Sequence, residues 1–451
     1  DIWIGTYAGG VNYYDRSFDL FKHFTTGTNT SKLSYKVVSV IIEDPDQNLW
    51  IGTEGGGINF YNRKTGVFDY YQHNKNNANS LSTNNVKSMI RTRNGNFWIG
   101  THNGGLNFLN PKIKPFKFEK YKNTTGDSNG LSNNRVISLY EDYQNNIWIG
   151  TSGGGLNVMN VATKSITRIP DPSGTISSLV YNISKTSNRD TLLIAGDNGL
   201  VKFNIKTQKF IAIDYRKNQN VNNFNATLCV YEDPAKNIWI ATEGDGLYYY
   251  NSISKKSIKY GINEGLPNEV IYTILPADSN TLWFSTNKGL SRLNLKTNEF
   301  KNFNASDGLI GDEFNFGAYI KLQNGNLMFG GTSGIDFFNP KIIKENSFIP
   351  PVSITEILVN NKPFLAENKT KKEITLEHNQ NVFSFNFIAL SYSQPEKNQY
   401  AYKLEGFDKE WNYIENKKSA TYTNLDAGKY LFKVKASNSD GVWNEQGASI
   451  I

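Results

Sequence analysis

A single cysteine, Cys229, excludes a disulfide within the chain and any zinc site built on several cysteines. No apolar run of about 18 residues occurs, so no segment has the length of a membrane-spanning helix, and no leader-type sequence opens the chain. The four histidines, His23, His73, His102 and His378, are scattered. Acidic pairs such as Glu43-Asp44 and Glu141-Asp142 fall in turn-like stretches whose composition changes from copy to copy. No set of general acid, base and nucleophile emerges from them, and no calcium-loop spacing does. No catalytic residue, metal or cofactor is expected. The net charge of +7 is spread over separate lysines rather than a basic patch, which excludes a nucleic-acid footprint. Proline is sparse, at 13 residues against 38 glycines, and aromatics reach 13%, a balance that suits pleated, half-buried strands joined by tight turns.

What is present is repetition. Trp50-Ile51-Gly52-Thr53 returns as Trp98-Ile99-Gly100-Thr101 and Trp148-Ile149-Gly150-Thr151, and near the start as Trp3-Ile4-Gly5-Thr6. Weaker copies stand at Leu193-Ile194-Ala195-Gly196, Trp239-Ile240-Ala241-Thr242, Trp283-Phe284-Ser285-Thr286 and Met328-Phe329-Gly330-Gly331. The period of about 44 to 50 residues belongs to propellers and arrays. Each full copy reads as four strands. Between residues 84 and 121 these are Val86 to Ile90, Phe97 to Thr101, Leu106 to Leu109 and Phe116 to Tyr121. An Asn-Gly turn at residues 94–95 and the glycines 104–105 separate the first three. Glycine triplets at 55–57 and 153–155 lack the Lys-Ser or Lys-Thr of a phosphate loop and read as turns needing positive φ.

Four antiparallel strands per repeat make a propeller blade. First strands fall near Val37, Val86, Val136, Ile176, Thr227, Val270 and Phe316, so the expectation is a seven-bladed β-propeller over residues 31–345. Residues 1–30 have second, third and fourth strands but no first. They read as a partial blade, either the end of a preceding propeller or an extra or closing blade. The last repeat stops at Ile335 to Phe338 without a fourth strand. After the linker Ile349-Pro350-Pro351-Val352 the pattern changes to short alternating strands, such as Val382 to Phe387 and Tyr430 to Ala436. Residues 350–451 are expected to form an immunoglobulin- or fibronectin-like β-sandwich, and the whole chain to be all-β. Tyr402, Tyr422, Tyr430 and Trp443 are expected as its core or corner residues. The chain opens inside a repeat and stops at Ile450-Ile451, the expectation for a fragment.

The repeat carried by Val136 to Asp142, Asn146 to Thr151 and Gly153 to Asn157 resembles the two-component regulator propeller repeat. The last 70 or so residues resemble the triple-tyrosine (Y_Y_Y) domain, through Tyr402 to Asp408, Trp411, Tyr422 to Leu425, Gly428 to Tyr430 and Ala436 to Trp443. Together they are similar to the periplasmic sensor region of hybrid two-component histidine kinases. That resemblance implies sensing of an oligosaccharide and control of transcription of glycan-use genes through a phosphorelay. It also implies a homodimer through the sandwich, a membrane helix beyond Ile451, kinase, receiver and DNA-binding domains not present here, and commonly a second, preceding propeller.

The ligand surface is read from blade geometry, not from the family. Loops between strands two and three share a face with the crossings from strand four to the next strand one, around the axial mouth. That face carries Tyr7, Tyr35, Glu54, Asn84, Asn85, His102, Asn103, Asn133, Asn134, Glu243, Asp245, Asn268 and Glu269. Amides and carboxylates can bond sugar hydroxyls, and tyrosines offer stacking faces. Two other readings stay open: an extracellular propeller enzyme acting on polysaccharide, and a scaffold that binds protein through this face.

Overall fold

A computed structural model of the chain describes residues 2–7, 9–14, 20–27, 32–124, 126, 129–171, 174–176, 178–217, 226–343, 346–364 and 373–451. The chain divides into two units, Ser17–Pro340 and a second made of Asp1–Arg16 with Lys341–Ile451.

The first unit holds seven four-stranded antiparallel sheets. Their first strands are Val38–Glu43, Val86–Arg91, Val136–Glu141, Val180–Lys185, Thr227–Glu232, Ile271–Asp278 and Phe314–Lys321. We number the blades 1 to 7 in that order. The fourth first strand lies at Val180–Lys185 rather than near Ile176, and the outer strand of blade 2 is Phe118–Tyr121, two residues shorter than its apolar pattern suggests. Each first strand packs against the next, and that of blade 7 against that of blade 1, so the ring is closed.

The repeated phrase supplies the second strand and much of the packing between blades. Leu49–Thr53, Phe97–Thr101 and Ile147–Thr151 are buried throughout. Their glycine lets two blades approach. A Cβ on Gly100 would lie 2.6 Å from Val136 Cγ1 of the next blade, and one on Gly150 would lie 2.7 Å from Val180 Cγ1. The turn glycine after the phrase is needed for another reason. Gly57 has φ +74°, and a Cβ there would sit 2.4 Å from the Tyr71 carbonyl oxygen.

The fourth strand missing from blade 7 comes from the start of the chain. Lys22–Phe24 pairs antiparallel with Ile335–Phe338, matching His23 to Asp336. Phe21 and Phe24 seat it, with ring centroids 5.0 Å from Phe338 and 5.1 Å from Phe337. The opening segment is therefore split. Its third strand completes blade 7. Among the described residues Ile2–Thr6 and Gly10–Tyr14 pair only with each other, in the second unit, where Trp3 meets Tyr392 edge-on at 5.7 Å.

The rest of the second unit is a two-sheet sandwich. One sheet orders Lys362–Pro363, Val352–Val359, Val382–Ala389 and Ser419–Thr423. The other orders Asn412–Tyr413, Tyr400–Glu405, Leu431–Ser437 and Trp443–Ile450. Phe385 and Phe432 stack between them at 4.0 Å. Tyr422 is in this core and donates its hydroxyl to Asp408 at 2.6 Å, while Tyr402 packs on Phe432 from the edge. Tyr430 is half-buried and donates to the Asp426 carbonyl at 3.0 Å. Trp443 is not a core residue. It lies with Trp411 and Tyr413 around the Lys435 ammonium, on the side of its strand opposite Phe432 and Val434.

Candidate ligand site on the propeller axis

All seven first strands contribute to one cavity of about 330 Å³, which places it on the propeller axis. The way they reach it is local. In blades 1 to 6 the pairing of the first strand with the second skips the second residue of the first strand: Ser39, Lys87, Ile137, Tyr181, Leu228 and Tyr272. In blade 7 the skip is longer and spans Asn315 to Ala318. Each is a bulge, which re-aims a side chain out of the pleat. These bulge residues, with Asn315 and Phe316, line the cavity.

A second ring comes from the residue that follows the Trp-Ile-Gly-Thr phrase. Glu54, His102, Ser152 and Glu243 line the cavity. Asn287, at the same place in blade 6, accepts the Tyr272 hydroxyl at 2.6 Å. Asp197, its counterpart in blade 4, hydrogen-bonds the Tyr181 hydroxyl.

The two sides of the mouth differ. On the side of blades 7, 1 and 2, Glu54 holds Lys87 Nζ at 2.6 Å with one oxygen and accepts from Asn315 Nδ2 at 2.9 Å with the other. Asn315 Nδ2 also bonds the Val38 carbonyl at 2.8 Å, so this network ties blade 7 to blade 1. Burial, with the charges of Arg135 and Lys87, holds His102 below the ordinary imidazole value against the opposing pull of Glu54. Blades 4, 6 and 7 present aromatic surface, through Tyr181, Tyr272 and Phe316. Tyr181 meets Phe316 edge-on at 5.6 Å. Burial, followed by the charges of Asp197 and Glu243, pushes the Tyr181 hydroxyl up to about 12. The Tyr272 hydroxyl is raised too, chiefly by burial. Both phenols therefore stay protonated donors at neutral pH. Together these groups make a mouth with aromatic faces, hydroxyl and amide groups whose protons are held by protein acceptors, and carboxylate acceptors.

Of the residues expected on this face, Glu54, His102 and Glu243 line the cavity. Most others shape the loops around it. The Asn84 carbonyl accepts from Gly55 and Gly57, and its side chain from the His73 amide at 2.6 Å. Asn134 repeats this in blade 2, with its carbonyl on Gly105 and its side chain on the Asn123 amide. Asn133 and Asn268 cap the amides of Arg135 and Val270. The Glu269 carbonyl accepts from Gly244 and Gly246, and the Asn85 carbonyl from His102. Asn103 accepts from Arg135 Nε at 3.0 Å. Tyr35 packs its ring against Gly55. Asp245 is buried among Lys259, Arg216 and the Tyr248 hydroxyl, and faces neighbours rather than a ligand. Tyr7 is exposed in the turn of the opening hairpin, which belongs to the other unit. The loop reading missed Lys87, Tyr181, Tyr272, Asn315 and Phe316. Their signal was in the repeats: aligned on the phrase, the second residue of the first strand changes identity in nearly every copy, while the first is Val, Thr, Ile or Phe.

Among the described residues no group of three or more His, Cys, Asp or Glu side chains is disposed to hold a metal ion, and no helix is long and apolar enough to cross a membrane. The sandwich has a larger cavity of about 590 Å³, but core aromatics such as Phe383, Phe385 and Phe432 wall it with the stretch after residues 365–372, which lie outside the described ones.

Comparison with known proteins matches residues 32–55, 80–103 and 130–153 to the two component regulator propeller and residues 391–451 to the Y_Y_Y domain. A protein named histidine kinase P4 of Formosa agariphila is 32% identical over 228 residues, covering 49% of this chain and 16% of that protein. The extracellular domain of a protein described as a hybrid two component system of B. thetaiotaomicron is 29% identical with a TM-score of 0.80. The match covers 99% of this chain and 59% of that one. The extracellular domain of a one component system of the same organism, 21% identical with a TM-score of 0.57 over 99% of this chain and 59% of that one, shares the fold. The chain thus spans less than two thirds of each of these relatives.

Proposed function

We propose that this chain, which carries two-component regulator propeller repeats and a Y_Y_Y domain and is similar to extracellular domains of two-component systems, is the ligand-sensing part of a hybrid sensor histidine kinase. It works outside the cytoplasm, detects an oligosaccharide at the propeller axis, and signals across the membrane to control transcription of glycan-use genes. The sandwich carries the signal as a change in a homodimer. The observation that supports this reading is the axial cavity, into which every blade sends a side chain and whose walls join tyrosine faces to carboxylates and amides. Saccharides are bound by that mixture, because the ring face is apolar and the hydroxyls need paired donors and acceptors. Signalling further requires that the ligand favour one of two states of the sensor, since equal affinity for both shifts nothing.

The test is thermal unfolding of the purified chain against a panel of oligosaccharides. A ligand at about 100 times its dissociation constant stabilises the native state by roughly 2.7 kcal/mol. A shift with one structural class and no product formed is the expected result. A shift with product would make the chain an enzyme, and no shift with any saccharide would move the reading to protein recognition.

A further inference from the structure

We propose that the axial cavity selects a neutral, hydroxyl-rich saccharide over an anionic one, and that Glu243 sets this selectivity. The inference rests on the sensor reading above and adds the charge class of its ligand.

Charge in the cavity wall decides this selectivity. Its ionisable groups are Glu54, Glu243, Lys87 and His102. Lys87 is the one permanent cation among them, and Glu54 holds it at 2.6 Å. The second oxygen of Glu54 is taken by Asn315. His102, held below its ordinary value, offers a hydrogen bond at neutral pH and not a charge. Glu243 differs from all of these. Its carboxylate has no hydrogen-bond or ion-pair partner among the described residues, and it is exposed. Its backbone is nonetheless fixed, because its amide donates to the Ala226 carbonyl at 2.9 Å and the residue bridges to Val270. A free acceptor is therefore held in place, close enough to Tyr181 and Tyr272 for its charge to act on both hydroxyls.

Such a carboxylate can accept from two neighbouring hydroxyls of a sugar stacked on the tyrosines. The same charge opposes a sulfate or uronate in a wall that carries two carboxylates against one paired ammonium. The chain as a whole bears +7, so anionic glycans have weak, scattered sites elsewhere. Binding there would be salt-sensitive and indifferent to Glu243.

The experiment is calorimetric titration of the purified chain with three matched sets: neutral cello-, manno- and xylo-oligosaccharides, acidic oligogalacturonates and sulfated glycosaminoglycan fragments, and chitosan oligosaccharides. The wild type and Glu243→Gln are compared, with unfolding of each free protein confirming that the exposed substitution leaves the fold intact. The expected result is binding within the neutral set that weakens about tenfold in Glu243→Gln and holds in moderate salt. Tight binding of an acidic oligosaccharide by the wild type, unchanged in Glu243→Gln, overturns the selectivity assigned to Glu243 as long as it persists in salt, and leaves saccharide sensing standing. Binding confined to the chitosan set also overturns it, since the carboxylate would then recognise an amine. No binding by any set overturns the sensor reading itself.

Discussion

At the scale of single residues, the acidic pairs show how a pattern that looks like chemistry is spent on construction. Glu and Asp of each pair have different tasks. Glu43, Glu141 and Glu232 reach the preceding blade, accepting the turn amides of Gln323, Arg93 and Ser187. Asp44 and Asp142 cap their own hairpin and take the indole N–H of the repeat tryptophan, Trp50 at 3.4 Å and Trp148 at 2.9 Å. Where the pair is lost, the bond is lost too: in blade 6 Trp283 Nε1 is buried without an acceptor. Asp142 also accepts from Gln144, so Asp142→Ala strands the Trp148 indole along with two turn amides. We expect a loss of roughly 1–3 kcal/mol, read as a lower denaturant midpoint at unchanged slope. A midpoint within error of the wild type would show that the cap contributes nothing.

At the scale of elements, the clasp between the last and first parts of the propeller rests on His23 and Asp336. Asn59, Asn107 and Asn157 occupy the equivalent place in blades 1 to 3, and each accepts an amide of the incoming crossing: Ser34, Ser82 and Ser132. Blade 7 has Asp336 instead, which accepts from the Ile310 amide at 2.9 Å and pairs with His23 at 2.7 Å. Burial lifts the Asp336 carboxyl above its ordinary 3.8, and the hydrogen bonds from His23 and Ile310 pull it part of the way back. A carboxyl raised by folding binds its proton before the unfolded chain does. Its contribution to stability is complete below the ordinary value and is lost as pH rises through the raised one. In a His23→Gln background, which removes the neighbouring imidazole, the stability of the protein relative to its Asp336→Asn derivative should fall as pH rises above 3.8 and level off below it. Denaturant unfolding at a series of pH values reads this directly, and a flat difference would mean that the carboxyl is not desolvated.

At the scale of the whole molecule, closure makes one cooperative object of seven similar units. The strand that completes blade 7 pairs with a partner 313 residues away, so the ring forms only when its first and last parts meet. Phe21 is 3% exposed and packs on Phe303 and Phe338, so Phe21→Ala removes the anchor of that strand. We expect it to cost about 3–5 kcal/mol. Amide exchange should rise in blades 7 and 1 together, because the loosened first blade loses its neighbour, while the sandwich strands keep their protection. Faster exchange confined to the terminal strand would show that blade 7 is stable without closure.

The blade count, the strand order within a blade and the switch to a sandwich near residue 350 were legible in the sequence, because each follows from local period: two within a strand, and about 44 to 50 residues between phrases. The glycine turns and the loop residues Glu54, His102 and Glu243 were legible for the same reason. The tertiary structure decided the rest. That residues 22–24 belong to the last blade while residues 2–14 do not depends on which edge is left unpaired once the ring forms. That Lys87, Tyr181, Tyr272 and Phe316 meet on the axis depends on bulges, which turn one side chain per blade out of the alternation by which a strand is read. A pattern of period two assigns a side chain to one face of its own sheet, and only the closed ring gives the seven inner edges a common centre.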